Sequence, residues 1–349
     1  MKLVTFKTPD RLTHAGVVHG ERVLMLDYPS VLELLRDPGG LEKARRAIEG
    51  YGKEYVIDRN AALSSTAEPP YGMVLPVRAN TAKEFTLHEV VLCAPIPDPP
   101  SVRDFYAFEQ HVRAARAKRN AEMIPEWYQI PTFYFTNNSE IYGHEEDVPY
   151  PVGSKELDIE LEIACVIGRE GKNIPVEEAA SYIAGYTIMN DWSARDFQRL
   201  DMKLNLGPGK GKDFATSLGP WLVTPDELAS RRIGGGGGTL VPPQDASNEL
   251  VSRRYESGAD ERYDMTMIAR VDGKEISRGN FKDIYYSFPQ MIAYASRNAR
   301  LRVGDVLGSG TVGTGCLLEI GTEVHNWFQR DEVIELEIEG IGVLRNRIV

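Results

Sequence analysis

Apolar residues fall mostly in short runs broken by polar or glycine-containing turns. Segments 3–6, 15–18 and 22–26 read as strands, with His19-Gly20 as a tight turn between the last two. Val31, Leu32, Leu34 and Leu35 give 30–50 a helical pattern, interrupted by Pro38-Gly39-Gly40. Segment 103–120 is helical in pattern and rich in bases, 157–167 is a strand, 176–185 a helix and 186–191 a strand ending in acid. Segments 265–271 and 274–277 form a hairpin through Asp272-Gly273, followed by a helix over 287–296. Strands are expected at 304–308, 316–320, 333–338 and 340–345. Many short strands, few long helices and no regular strand–helix alternation predict a β-rich α+β fold and exclude a doubly wound sheet.

The 349 residues suggest two domains at about 150 residues each. Segment 91–100 is dense in proline and reads as a linker, dividing the chain into 1–97, a small β-rich unit, and 98–349, the larger one. A five-glycine run at 234–238 has no phosphate-binding pattern around it and reads as a loop.

Charge narrows the partners. Lys plus Arg number 40 against 51 Asp plus Glu, a formal net charge of −11. That balance argues against nucleic acid, whose partners carry a basic face, and against an anionic membrane surface. Anionic small molecules stay possible, because a bound cation can invert the local field. Cys93, Cys165 and Cys316 are too few and too far apart for a disulfide framework or a thiolate zinc site. The first residues lack an apolar secretory core and no apolar run reaches about 18 residues, so a cytoplasmic protein is expected.

Chemistry concentrates in a few places. In the 157–167 strand, period two sets Ile159, Leu161 and Ile163 on one face and Asp158, Glu160 and Glu162 on the other. A solvated acidic face is one reading. However, that face continues as Ala164 and Val166, and neighbouring carboxylates running into a buried face call for a divalent cation. Asp191 ends an apolar strand, with Arg195 and Gln198 at helical spacing after it; an N-cap with an ion pair is the plain alternative. His111, one of six histidines, follows Asp104; it is either a structural histidine or an acid–base group. The Gly207–Asp213 loop lacks Walker spacing but brings lysines to a turn, and Gly-rich 308–315 leads to Glu319, which a plain hairpin would expose.

Together, the Asp104-Phe105-Tyr106 segment with its downstream His111, the Glu160-x-Glu162 strand, Asn190-Asp191-Trp192-Ser193-Ala194-Arg195-Asp196-x-Gln198, the Gly-Lys loop and Gly308-Ser309-Gly310-Thr311 resemble the fumarylacetoacetate hydrolase family over most of 101–349. The resemblance implies a mixed β-sandwich roll for the catalytic unit and a small SH3-like β domain before it. It implies Asp104, Glu160, Glu162 and Asp191 as ligands of a divalent cation; an all-carboxylate set suits Mg²⁺, Mn²⁺ or Ca²⁺ rather than zinc. His111 falls on the catalytic base and Glu319 on the acid that orients it. Arg195, Gln198 and Lys212 fall on oxyanion and leaving-group positions, and Tyr106, Tyr134 and Thr311 on substrate contacts.

A lid dyad of His-x-x-Glu type, as in the short acylpyruvase and decarboxylase relatives, is absent, because Ala114 stands three residues after His111. The loop to Lys212 is one residue longer than the family pattern, and the path from Thr311 to Glu319 is shorter; both departures touch the substrate pocket. The implied activity is hydrolysis of a carbon–carbon bond in a fumarylacetoacetate- or acylpyruvate-like 1,3-diketo acid. Decarboxylation, isomerisation or sugar-acid dehydration on the same metal site is the alternative. A metal-dependent binding protein without turnover is the reading from another class. The expected partners are a keto acid and a second copy of the chain.

Overall fold

In the computed structural model, which describes residues 1–51, 54–55, 77–78, 83–118, 120–233 and 261–349, most of the short apolar runs become strands of two sheets. The polyglycine run at 234–238 lies outside the described residues. The larger sheet runs Glu84–Thr86, Arg22–Met25, Thr13–His19, Lys2–Lys7, Thr216–Val223, Ile183–Asp191, Leu161–Ile167, Val306–Gly308, Val102–Phe105, Phe133–Thr136. Lys2 and Leu3 pair with Val223 and Leu222, so backbone hydrogen bonds cross from the N-terminal segment into the C-terminal one. The smaller sheet is antiparallel: Lys274–Asn280, Thr266–Val271, Val333–Ile338, Gly342–Arg347. Its Asp272-Gly273 turn has both residues at positive φ, as a two-residue hairpin requires.

One apolar core lies between the sheets, where Ile163, Cys165 and Ile188 meet Met267, Leu336 and the Phe288–Ala295 helix. A second lies on the far side of the larger sheet, where Ala164, Val166 and Met189 meet Val31 and Leu34 of the Val31–Arg36 helix. Leu161–Ile167 is therefore buried on both faces, which overturns a solvated acidic edge and leaves its acids in the interior.

Four elements differ from the sequence pattern. Segment 103–120 is a strand, Val102–Phe105, then a helix, Glu109–Ala117; pairing in parallel with Val306–Gly308 outweighs the helical periodicity. The helix expected to 185 stops after Val176–Ala179 and a 3-10 turn, because Ile183 already pairs with Ile167. The 157–167 run breaks at 159–160: Leu157–Asp158 pairs with Ser193–Ala194, and Leu161–Ile167 with Ile183–Asp191. Instead of a strand at 316–320, Leu317–Ile320 forms one helical turn, because Asp158 takes the N–H groups of Leu317 and Leu318 at 2.8 and 3.0 Å. Among the described residues no helix is long and apolar enough to cross a membrane.

Candidate active site

Neighbouring strands carry acids to one point. Asp104 sits opposite Gly308 in the parallel pair, Glu162 is in the next strand over, and Asp191 ends the strand beyond it. Glu160, in the break before Leu161, has its N–H fixed by the Asn190 side chain at 3.0 Å. The carboxylates of Asp104, Glu160, Glu162 and Asp191 are buried, and each offers an oxygen within 4.8 Å of the others.

Glycine makes the gathering possible. A Cβ on Gly308 would lie 2.8 Å from Asp104 Oδ1 and 2.9 Å from Glu162 Oε2. Gly310, at φ 77°, directs its N–H to the same two carboxylates, 3.1 Å from each. The Gly-Ser-Gly motif is thus the floor of the acidic cluster.

Two cations close it from the other side. Lys212 Nζ lies 2.6 Å from Glu160 Oε2 and 2.7 Å from Asp191 Oδ2. Arg195 Nη1 reaches Glu160 Oε1 at 2.9 Å, and its Nε donates to Asp158 Oδ2 at 2.8 Å. Arg195 opens its helix, with Ala194 as N-cap, while Asp191 still belongs to the strand. Asp191 and Arg195 are therefore not an i,i+4 pair of one helix; the arginine engages Asp158 and Glu160 through Nε and Nη1 and keeps Nη2 without a partner. Tyr134 donates its hydroxyl to Asp191.

The charges are unevenly balanced. Burial, then the Asp191 and Glu160 charges, push Asp104 up to about 8. Burial and the Asp104 charge hold Glu162 well above the usual carboxylate range. Burial raises Glu160 too, but Lys212 and Arg195 outweigh it and bring it to about 2. Lys212 is likewise opposed by burial yet raised by Asp191 and Glu160, so it stays charged. Glu162 Oε1 and Asp191 Oδ1 are buried acceptors without a hydrogen-bond partner. Orphaned, mutually repelling, all-oxygen donors fit a hard divalent cation.

Beside this cluster, His111 on the Glu109–Ala117 helix sets Nδ1 2.5 Å from Glu319 Oε1, with the two side chains 6% and 4% exposed. Thr314 N–H binds the second Glu319 oxygen, so the acid is held rather than exposed on a hairpin. The Tyr106 ring packs edge-on against His111, centroids 5.3 Å apart. Cys316 lies beside the pair; burial, then the Asp158 charge, raises its thiol well above the ordinary value, so it is a protonated packing group.

One cavity of 240 Å³ joins the two clusters and is lined by Asp104, Tyr106, His111, Tyr134, Glu160, Arg195, Gln198, Lys212 and Thr311. Glu162 and Asp191 stand behind it in the acidic cluster, and Glu319 behind His111. The residues that fell on metal, base, oxyanion and substrate positions thus meet at one place. Asp158 is the one whose part was missed. Its alternation put it on the face of Glu160 and Glu162, but the strand break turns it away, to Arg195 and the start of the Glu319 turn. Only the break, which periodicity does not reveal, separates it from the other acids.

The family model for the fumarylacetoacetate (FAA) hydrolase C-terminal region matches residues 101–349. Fumarylacetoacetase of Arabidopsis thaliana is 35% identical over 251 residues, 62% of this chain and 57% of that protein. Fumarylacetoacetase of Aspergillus fumigatus is 32% identical over 278 residues, 70% of this chain and 62% of that protein. The chain thus spans less than two thirds of the curated relatives' length. In fold, it is similar to fumarylacetoacetate hydrolase of the psychrophilic Exiguobacterium antarcticum, with TM-score 0.65, 22% identity and coverage of 100% and 99% of the two chains. It is also similar to maleylpyruvate hydrolase of Sphingobium sp. SYK-6, solved with manganese(II) and pyruvate, with TM-score 0.63, 19% identity and the same coverage.

Proposed function

The chain belongs to the fumarylacetoacetate hydrolase family, and from that premise we propose that it is a metal-dependent hydrolase cleaving the carbon–carbon bond of a 1,3-diketo acid. The observation that carries this reading is the His111–Glu319 pair, 2.5 Å apart, facing the same cavity as the four-carboxylate cluster.

Asp104, Glu160, Glu162 and Asp191 would hold the cation, Mg²⁺, Mn²⁺ or Ca²⁺. When bound, it acts as a Lewis acid toward the oxygens of the diketo acid. His111 does the base work. A carboxylate at Nδ1 keeps the proton on that nitrogen and leaves Nε2 able to take one from water. The water oxygen bonds to the acyl carbon, and the carbon–carbon bond breaks with its electron pair left on the methylene carbon between the two carbonyls. Arg195, Gln198 and Lys212 donate to the oxygens where charge builds, each worth about 2–4 kcal/mol if aligned. Protonation of the released carbon, with Lys212 as donor, yields a carboxylate and an oxo acid, a 2-oxo acid from an acylpyruvate and a 3-oxo acid from fumarylacetoacetate. Isomerisation is the second reading, since the fold is shared with a structure named 5-carboxymethyl-2-hydroxymuconate delta-isomerase from Mycobacterium smegmatis.

Acylpyruvates and fumarylacetoacetate, incubated with Mg²⁺ or Mn²⁺, are expected to release acid, and chelator-treated protein is expected to be inactive until metal is restored. His111→Ala is expected to lose about 100-fold or more in kcat, the usual contribution of a positioned base. Full activity without metal sinks the metal role, an unchanged His111→Ala removes the base, and an isomer in place of two acids selects the second reading.

A further inference from the structure

The short, glycine-rich run from Thr311 to Glu319 is not accounted for by the acidic cluster, whose glycine floor ends at Gly310. It folds into a turn over Val312–Gly315, closed by the Gly315 N–H on the Val312 carbonyl at 2.8 Å. Both ends of this turn are tied to one residue. The Val312 N–H donates to the Leu161 carbonyl and the Leu161 N–H to the Gly315 carbonyl, each at 3.0 Å. Leu161 stands between Glu160 and Glu162, so the base of the turn is registered on two of the four carboxylates.

Thr314 takes the third position of the turn at φ 71°, where a type II turn calls for glycine or asparagine. A β-branched residue is strained in this left-handed region. Glycine stands on either side, at 313 and 315, but not at the position that asks for it. What threonine adds is a hydroxyl. Its Oγ1 donates to the Arg278 carbonyl at 3.2 Å and lies 3.3 Å from Oγ of the buried Ser277. Both belong to Lys274–Asn280, the edge strand of the smaller sheet. The approach is close: a Cβ on Gly279 would lie 2.7 Å from Val312 Cγ2. On the opposite side, a Cβ on Gly313 would lie 2.9 Å from Cβ of Gln110, the residue before His111 on its helix. The turn is therefore wedged between the edge strand and the helix that carries the base. From there the Thr314 N–H holds one oxygen of Glu319 while the other faces His111 Nδ1.

Resting on the hydrolase reading for the part His111 plays, we infer that Thr314 is a positioning residue: its hydroxyl ties the turn to the edge strand of the smaller sheet, and the N–H of the turn so held keeps Glu319 aligned on His111. Among the described residues the smaller sheet adds nothing to the cavity lining, yet through Thr314 it acts on the base.

Thr314→Ala and Thr314→Ser, which differ in the hydroxyl alone, test this, with Thr314→Gly as a hydroxyl-free variant whose backbone suits a positive φ. In Mg²⁺-loaded protein with ¹⁵N-labelled histidine, a short N–H···carboxylate bond gives the His111 Nδ1 proton a downfield resonance, identified by its loss in His111→Ala. In Thr314→Ala and Thr314→Gly this resonance is expected to move upfield or vanish by exchange with water, while the other histidine signals stay in place. On the cleaved diketo acid, kcat is expected to fall about 10-fold with KM little changed, the mark of lost alignment rather than lost binding. Thr314→Ser is expected to recover the resonance and most of kcat. An unmoved resonance or an unchanged kcat in Thr314→Ala and Thr314→Gly overturns the inference, as does a loss of both that Thr314→Ser shares in full. The resonance is read without turnover. Its loss in the two variants, with no diketo acid cleaved by the natural protein, keeps the alignment of Glu319 by Thr314 and removes the hydrolase reading; cleavage with an unmoved resonance does the reverse.

Discussion

At the scale of single residues, the acidic cluster depends on an atom that is absent. Gly308 has no side chain, and the space this leaves is where Asp104 and Glu162 converge. Gly308→Ala puts a methyl 2.8 Å from Asp104 Oδ1 and from Met189 Sδ, and the cluster must open. Overpacking of this kind costs about 1–3 kcal/mol of stability. The larger effect is expected on the metal: Mn²⁺ affinity, followed by calorimetry, should fall about 10–100-fold, as when a ligand's support is removed. An unchanged Mn²⁺ affinity would mean that the carboxylates have slack and do not depend on this glycine. The motif was legible because glycine is the residue that permits close approach; which atoms approach it was not, since Asp104, Glu162 and Met189 come from strands more than a hundred positions away.

At the scale of elements, Asp158 joins two helical segments that carry opposite sides of the chemistry. One oxygen accepts Arg195 Nε and the Leu318 N–H, while the other accepts the N–H groups of Ile159 and Leu317. Arg195 in turn holds Glu160, and the turn begun at Leu317 presents Glu319 to His111. Asp158→Asn removes the charge facing a fully buried guanidinium. Breaking one side of a buried pair costs about 3–5 kcal/mol, which thermal unfolding will read. In steady-state kinetics kcat is expected to drop about 10–100-fold with KM little changed, because the orientation of Arg195 and Glu319 is lost while the rest of the cavity lining remains. A change in KM alone would place Asp158 outside the reaction's geometry. The strand over 157–167 was readable from alternation, yet its interruption was not. Local pattern does not register that Leu157–Asp158 and Leu161–Ile167 pair with different partners.

At the scale of the molecule, the net charge of −11 does not exclude an acidic ligand. Part of it is sequestered at the four buried carboxylates, where Lys212 and Arg195 already offset it and a divalent cation would offset more. Long-range contacts also set the response to pH. His144 Nδ1 accepts the Arg345 N–H at 3.2 Å and ties the loop after Ile141–Tyr142 to the C-terminal strand Gly342–Arg347. Burial lowers its pKa, against the raising effect of Glu145. The unfolded chain, with a histidine pKa of about 6.5, then takes up the proton before the folded one. Stability from this contact is full above that value and declines as pH falls through it toward the folded pKa. Chemical denaturation at pH 7 and pH 5 should show a larger loss in the natural protein than in His144→Gln; equal losses would exclude His144 as a source of acid sensitivity.

The sequence by itself determined the chemical inventory: an acidic β-rich chain with paired carboxylates on a strand running into the interior, a histidine, an arginine–glutamine helix start and two glycine-rich turns. Alternation and turn chemistry are local, so the strands, the hairpin at Asp272-Gly273 and the face shared by Glu160 and Glu162 could be read directly. Tertiary structure decided the rest. Parallel pairing of Val306–Gly308 with Val102–Phe105 turned a helical-looking segment into the strand that carries Asp104. The strand break sent Asp158 to Arg195 and left Glu160 with Lys212. The fold alone brought the carboxylate cluster and the His111–Glu319 pair to one cavity, because both are assembled from residues close in space and distant in sequence.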